Sequence, residues 1–244
     1  MRHFALDVAV AIQTAESHTA ILFFSHRPAQ EWRNKRYVLK DYAKSRQAAH
    51  VLYRHAQQAA ESSGLPVLRM TGERQRGDSF GERLANAFAD AFAQGYTHVI
   101  AVGSDCPRLH EVDWEGVTHR LEGGKPVLGP TPGRDGAYLI GLSQGQFDRQ
   151  AFAALPWQSP ALLGALEAHL DASCETAPMR LVPRDDVNGH HELVALVRED
   201  ASPRYLLAQL RSIFGRAVCA IYADTPIFST SVFCYRLRGP PVRG

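Results

Sequence analysis

The chain has 244 residues, of which 45% are hydrophobic, and its formal net charge at pH 7 is +2. This length and composition are typical of one α/β domain with a substantial core. The small net charge gives no electrostatic reason to expect a nucleic-acid partner. No apolar run approaches the roughly 20 residues that a membrane-spanning helix needs, so we expect no membrane association.

The N-terminus and the cysteines indicate the compartment. The first ten residues contain Asp7 and no long apolar stretch, which argues against a signal peptide. The four cysteines are widely spaced, in neither a zinc pattern nor a disulfide framework. We therefore expect a cytoplasmic protein with reduced thiols, in which Cys106 is a small filler residue rather than a nucleophile.

Apolar runs and helical periodicities alternate along the chain. In chain order the pattern predicts a strand at 19–24, a helix at 41–62, a strand at 65–70, a helix at 79–94, a strand at 99–102, a helix at 113–122, strands at 126–130 and 136–142, a helix at 160–170, a strand at 176–182, and helices at 190–198 and 203–214. This order predicts a mostly parallel sheet with helices on both faces, in which the loops after the strands meet at one edge.

The C-terminal segment breaks this alternation. Residues 217–238 are β-like and end at Gly239-Pro240-Pro241. We therefore predict a single domain over 1–214 and a C-terminal extension of unknown role over 215–244. The extension is an added hairpin, an interface element or poorly ordered chain, and an exposed apolar hairpin would favour a homo-oligomer.

The segment 99–107, VIAVGSDCP, predicts a ligand site. Its apolar strand ends in Gly103-Ser104-Asp105, and ligands of open α/β sheets bind beyond the carboxyl ends of strands. Gly103 permits close approach of the backbone to a ligand. The Asp105 carboxylate suits a hard divalent cation, which in turn suits a diphosphate. The alternative is that Asp105 only caps the following turn or helix.

A second strand–loop–strand segment covers 126–142. Its polar, glycine-punctuated loop carries Thr131, Arg134 and Asp135 between two apolar runs. Loops of this kind commonly carry function on a rigid scaffold. The alternative is an ordinary hairpin, because Asp-Gly is a frequent turn pair.

These two segments, GSDCP at 103–107 and GPTPGRDGAYLIGL at 129–142, closely resemble the DUF2064 family. GDSFGERL at 77–84 and RDDVN at 184–188 resemble two further elements of that family, and the resemblance covers roughly 19–198. Its members are regarded as A-type glycosyltransferase-like or nucleotidyltransferase-like, near the molybdenum-cofactor and phospholactate guanylyltransferases. The resemblance implies a nucleotide-diphospho-sugar transferase-like, Rossmann-like three-layer sandwich.

Two positions depart from the family pattern. The family usually opens with a Lys-x-Pro-x-x-Gly-x-x-Lys-Thr-Arg-Leu loop that would cradle phosphates, whereas the loop at 25–36 lacks the Gly and the Lys-Thr-Arg triplet. Arg27, Lys35 and Arg36 are the candidate phosphate contacts as side-chain charges, and the alternative is a solvated basic loop. Asn188 stands where a second acid would be, and it offers an oxygen ligand without charge.

The resemblance implies a metal-dependent transferase that uses a nucleotide or nucleotide-sugar donor and an unknown small-molecule acceptor, in either glycosyl or nucleotidyl transfer. Mg²⁺ or Mn²⁺ would be held by Asp105 and Asp186, with Asp185 the close rival of Asp186. Gly103, Ser104 and Thr131 complete the candidate nucleotide- and phosphate-binding set. The alternative function is a non-catalytic descendant of the fold that binds a nucleotide or a protein, which the altered first loop and Asn188 favour.

Arg134 and Asp135 are the implied catalytic residues. Asp135 would bind the acceptor or act as general base, and the alternative is a turn acid. Arg134 would pair with a phosphate or an acceptor carboxylate. Three aromatic residues, Trp32, Tyr138 and Trp157, either stack on a base or sugar or pack in the core.

Overall fold

The computed structural model describes residues 18–132, 136–173, 177–198 and 202–214. Six strands form one sheet in the order β2-β1-β3-β5-β4-β6. The strands are β1 (Thr19–Ser25), β2 (Val67–Thr71), β3 (His98–Val102), β4 (Val127–Pro130), β5 (Ala137–Ser143) and β6 (Met179–Arg180). The helices are α1 (Pro28–Lys35), α2 (Tyr42–Glu61), α3 (Phe80–Ala93), α4 (Trp114–Glu122), α5 (Arg149–Ala153), α6 (Leu162–Ser173), α7 (His190–Arg198) and α8 (Arg204–Phe214).

Five of these strands run in one direction and β5 runs against them. β1 pairs in parallel with β2 and β3, and β4 pairs in parallel with β6. β5 lies antiparallel between β3 and β4. The predicted mostly parallel sheet is therefore confirmed. Because β5 is reversed, its first residues lie at the edge where the other strands end, so they join the loops at that edge.

The central strands are buried on both faces, as their continuous apolar sequences require. In β1, Leu22 and Phe24 belong to the cluster packed with α3 and α6, whereas Ile21 and Phe23 belong to the cluster packed with α2 and α4. This period-two alternation follows from strand geometry. Helices therefore cover both faces of the sheet, in three layers.

A third cluster lies beside the sheet and joins α2, α7 and α8. Leu52 of α2, Leu193 of α7 and Leu207 of α8 pack there with Tyr37 and Val187. Val187 lies in the segment between β6 and α7, so burial of its side chain fixes the position of that segment. Among the described helices, none combines the length and apolar character needed to span a bilayer.

The first loop is the main difference from the sequence prediction. The family resemblance implies a loop at 25–36, but residues Pro28–Lys35 form helix α1. Pro28 is compatible with this because the first turn of a helix needs no N–H from that position. The helix ends at Arg36, whose φ of 45° is left-handed and whose N–H donates to the Trp32 carbonyl.

Two further segments differ from the sequence prediction, and a third lies outside the described residues. Helix α5 is not predicted by the sequence pattern, and the strand expected at 176–182 shortens to Met179–Arg180. The extension at 215–244 lies outside the described residues, so its β-like character and the homo-oligomer through it stay predictions.

Gly129 of β4 provides a test of packing at the ligand-facing edge. A Cβ there would lie 2.4 Å from Cζ of Tyr138, whose ring crosses the glycine. We expect Gly129→Ala to lower the free energy of unfolding by about 1–3 kcal/mol, the usual cost of overpacking. Gly145→Ala is the matched control, since a Cβ there meets no described atom within 4 Å, and it should change stability by less than about 0.5 kcal/mol. Urea unfolding measures the free energy of unfolding of both variants. Equal values for Gly129→Ala and Gly145→Ala would contradict the packing argument.

Candidate functional site

A pocket of about 440 Å³ opens at the edge where β1 and β3 end and β5 begins. One side is polar and is formed by the ends of β1 and β3, helix α1 and the segment that precedes α7. The other side is apolar and is lined by Phe80, Trp157 and Leu162 among others. A polar half beside an apolar half is typical of sites for small polar ligands that carry a ring.

Asp105 lines the polar half. Its side chain is 33% exposed, and one carboxylate oxygen, Oδ2, lies 2.5 Å from Nζ of Lys35. The hydroxyl of Ser104 donates to the other oxygen, Oδ1, at 3.3 Å. The hydroxyls of Ser104 and Ser25 lie 2.6 Å apart, which ties the end of β3 to the end of β1. The predicted position of Asp105 beyond a strand end is thus observed.

Lys35 reaches this site from the last turn of α1. Its ammonium also lies 3.0 Å from Oε1 of Glu31, one helical turn earlier, and donates to the carbonyl of Val187 at 3.4 Å. The side chains of Lys35 and Glu31 are only 13% and 8% exposed. Burial alone would lower the pKa of Lys35, but the charges of Asp105 and Glu31 outweigh it and raise the pKa above 10.5. The ammonium is therefore charged and held between two carboxylates.

Asp186 faces Asp105 from the segment before α7. The N–H of Val187 donates to the carbonyl of Asp105 at 2.8 Å, which holds the two loops side by side. Burial, followed by the charge of Asp105, raises the pKa of Asp186 to about 7, against the opposing effect of Lys35. Its Oδ1 is enclosed and has no hydrogen-bond partner among the described residues. An enclosed carboxylate oxygen without a donor is costly unless a ligand compensates it.

A buried arginine, which sequence reasoning missed, holds the segment before α7 in place. Arg184 pairs with the Glu111 carboxylate and donates to the Glu111 carbonyl at 3.1 Å. Arg108 adds a bidentate pair to the same carboxylate, with both N···O distances 2.9 Å. The hydrogen bonds from Arg108 and Arg184 hold the pKa of Glu111 at about 2. The only available signal was the charge in the RDD sequence, which does not identify a partner.

The pocket brings together six of the ten predicted site residues. They are Lys35, Gly103, Ser104, Asp105, Thr131 and Asp186. Arg27 instead pairs with Glu73 at 3.6 Å, and exposed Arg36 ends α1; neither lines the pocket. The remaining two, Arg134 and Asp135, lie outside the described residues.

The structure also gives the positions of the residues for which the sequence left alternatives open. Asp185, the rival of Asp186, is exposed and does not line the pocket, whereas Asn188 does. Tyr138 and Trp157 also line the pocket, but Trp32 packs against Tyr42 with ring centroids 5.5 Å apart. Glu31 was missed because its relation to Lys35 depends on α1 being helical.

The donor set fits a divalent cation that is completed by a ligand. No cluster of three or more His, Cys, Asp or Glu side chains that could hold a metal exists among the described residues. Asp105 and Asp186 supply two carboxylates, one with an enclosed unpartnered oxygen, and Mg²⁺ is commonly held by one or two carboxylates plus phosphate oxygens and water. Glu31 adds a third acid to the pocket against the single ammonium of Lys35, so the charge of these four groups favours a further cation.

Comparisons with known proteins identify the family and the fold. A family model described as "Uncharacterized protein conserved in bacteria (DUF2064)" matches residues 38–159. A search of curated proteins finds no match. Among solved structures, the chain is similar to a crystal structure of a protein from Desulfovibrio desulfuricans G20 described as a "putative nucleotide-diphospho-sugar transferase", with a TM-score of 0.63, 21% identity and coverage of 84% of this chain and 98% of that chain. The predicted nucleotide-diphospho-sugar transferase-like architecture is thereby confirmed.

The Glu111 cluster predicts a specific acid sensitivity. The pKa of this carboxyl is 4.5 in the unfolded reference and about 2 in the folded chain. A lowered folded pKa stabilises the fold above pH 4.5, and the stabilisation is lost as the pH falls towards 2. With allowance for solvent screening, we expect Glu111→Gln to lower the free energy of unfolding by about 2 kcal/mol at neutral pH. The variant should also lose less stability than wild type as the pH falls.

Urea unfolding at neutral pH and at pH 3 measures this effect. Glu115, which is exposed on the neighbouring helix α4, provides the matched control. Glu115→Gln should lose as much stability as wild type when the pH falls. If Glu111→Gln and wild type lose equal stability between the two pH values, the assigned pKa shift is wrong.

Proposed function

Because the chain belongs to the DUF2064 family and has the fold of a nucleotide-diphospho-sugar transferase, we propose that it is a transferase for nucleotide-activated donors. The donor is a nucleotide sugar or a nucleotide, bound in the pocket together with Mg²⁺ or Mn²⁺, and the acceptor is a small molecule. Transfer of the glycosyl group from a nucleotide sugar is the reaction that this fold favours.

The observation that carries the proposal is the pairing of Asp105 with Asp186. The backbone hydrogen bond from Val187 to Asp105 joins the two loops, and the two acids line the same pocket. One of them keeps an enclosed oxygen without a donor among the described residues. The charge of Asp105 contributes to the raised pKa of Asp186, and a divalent cation would relieve the repulsion between the two carboxylates, with a diphosphate supplying further oxygen ligands.

Each part of the pocket then has a task. Asp105 and Asp186 would hold the cation, whose charge would stabilise the negative charge that develops on a diphosphate. The main chain at Gly103 is open to a ligand, since a Cβ there would meet no described atom closer than 3.9 Å. Thr131 lines the same pocket, and its hydroxyl is a candidate donor to a phosphate or sugar oxygen, whereas the hydroxyl of Ser104 already binds Asp105 and Ser25.

The apolar half provides the site for a ring. The rings of Phe80 and Trp157 lie 5.5 Å apart and both line the pocket. Stacking on such rings would hold a base or a sugar while the diphosphate reaches Asp105. Arg134 and Asp135 belong to the connection between Thr131 and Gly136, two residues that line the pocket. Their proposed roles are therefore on the acceptor: Asp135 as binding group or general base, Arg134 as partner of a carboxylate or phosphate.

A second candidate function is nucleotide binding without transfer. Helix α1 occupies the segment that would otherwise wrap its N–H groups around phosphate, and Lys35 already binds Asp105 and Glu31. These observations favour a binding protein that has kept the fold, and product analysis separates the two functions.

A matched pair of variants tests the cation site. In a thermal-shift screen of nucleotides and nucleotide sugars, a ligand at 100 times its Kd stabilises the native state by about 2.7 kcal/mol. We expect one donor to stabilise the wild type only with Mn²⁺, and we expect Asp105→Asn and Asp186→Asn to abolish that shift. Asp185→Asn should keep it, because Asp185 is exposed and outside the pocket. If Asp185→Asn loses the shift and Asp186→Asn keeps it, the assignment of the second ligand is wrong.

The reaction itself is identified from its products. Glycosyl transfer or slow hydrolysis of a nucleotide sugar releases the nucleoside diphosphate, whereas nucleotidyl transfer from a triphosphate releases pyrophosphate. We expect release of the nucleoside diphosphate with Mn²⁺, and its loss in Asp105→Asn. Mn²⁺-dependent binding without either product would favour the non-catalytic function.

A further inference from the structure

The pocket already contains one cation, the ammonium of Lys35. It lies on Oδ2 of Asp105, the same carboxylate that the proposed function assigns to a divalent cation. The second oxygen of Asp105 accepts from Ser104, so both oxygens of this carboxylate are engaged. A divalent cation that binds Asp105 through Oδ2 would lie next to the ammonium, so the repulsion between the two positive charges makes them compete for this oxygen.

The structure gives the displaced ammonium a second partner. Glu31 lies 3.0 Å from Nζ of Lys35 and is almost completely buried. Because the two residues are one turn apart on α1, this contact persists when the contact with Asp105 is broken. Lys35 thus stays charged at the pocket wall, where a ligand with negative charge can bind it.

We propose that Lys35 couples cation binding to donor binding: its ammonium occupies Asp105 until a diphosphate attracts it, so that a divalent cation alone binds weakly and a cation with a diphosphate binds tightly. This inference rests on the proposed function and specifies how the same site selects its ligand. Competition from Lys35 at Asp105 weakens the binding of a free cation, and the acids of the pocket weaken the binding of a free diphosphate. Only the two together satisfy Asp105, Asp186 and Lys35.

Binding of Mn²⁺ alone provides the direct test. The probe is the electron paramagnetic resonance signal of free Mn²⁺, titrated with wild type and with Lys35→Met, without nucleotide. Removal of the competitor should tighten Mn²⁺ binding by a factor between about 5 and 150, the usual range of coupling between two ligands. Arg33→Met removes the same charge two residues earlier on α1, at an exposed position outside the pocket lining, and should leave Mn²⁺ affinity at the wild-type value.

The second measurement concerns the diphosphate. Each of the four common nucleoside diphosphates is titrated at saturating Mn²⁺. In Lys35→Met the diphosphate should bind more weakly than in wild type, because its ammonium partner is lost. The factor by which the diphosphate strengthens Mn²⁺ binding should fall as well, but it should stay above one because the two ligands still attract each other directly. Linkage requires that Mn²⁺ strengthens diphosphate binding by the same factor, which provides an internal check.

A variant with balanced charge guards against misfolding. Lys35→Met leaves Glu31 and Asp105 without their cation, so the double variant Glu31→Gln with Lys35→Met removes one charge of each sign and should show the same tightening. Unchanged or weaker Mn²⁺ binding in both variants, with wild-type binding that depends on Asp105, overturns this inference alone. Absence of Mn²⁺ binding in wild type and in both variants overturns it together with the proposed cation site.

Discussion

The ammonium of Lys35 joins three segments that are distant in sequence: helix α1, the loop after β3 and the segment before α7. It contacts Glu31, Asp105 and the carbonyl of Val187, and the Lys35 side chain is itself only 13% exposed. A charge in such surroundings is tolerated only when its partners surround it, so the three segments must fold into contact together. The helical fold of α1 follows from this requirement, because one turn of helix is what places Glu31 and Lys35 on the same side.

The sequence identified the scaffold and the first acid for a clear physical reason. Buried parallel strands are continuous apolar runs, and the run that ends at Val102 marks where a sheet edge begins. Asp105 follows that end directly, so its place was predictable without tertiary contacts. Asp185 and Asp186 were not separable in this way, because neighbours in an extended segment point to opposite sides. The hydrogen bond from Val187 to Asp105 and the burial of the Val187 side chain fix this segment so that Asp186 lines the pocket and Asp185 is exposed.

The basic residues of the first loop show why the rest was not predictable. Arg27, Lys35 and Arg36 have similar charge in the sequence, and their roles diverge only through the geometry of α1. Arg27 precedes the helix and binds Glu73, Arg36 follows its end, and Lys35 alone lies on the inner face. A short polar helix with Pro at its start has no apolar stripe, so its periodicity gives no signal. Tertiary ion pairs specify it, and those pairs involve residues far away in the chain.

The reversal of β5 also determines how this protein could diversify. The connection between β4 and β5 is closed by a hydrogen bond from the N–H of Thr131 to the carbonyl of Gly136, at the rim of the pocket. A connection between antiparallel neighbours carries no crossover helix, so its length can vary at small entropic cost while both strands keep their pairing. Insertions and deletions in this stretch would reshape the rim without disturbing the sheet. A change in this connection, which carries Arg134 and Asp135, would therefore alter the proposed acceptor side of the pocket while Asp105 and Asp186, which lie in other loops, keep their places.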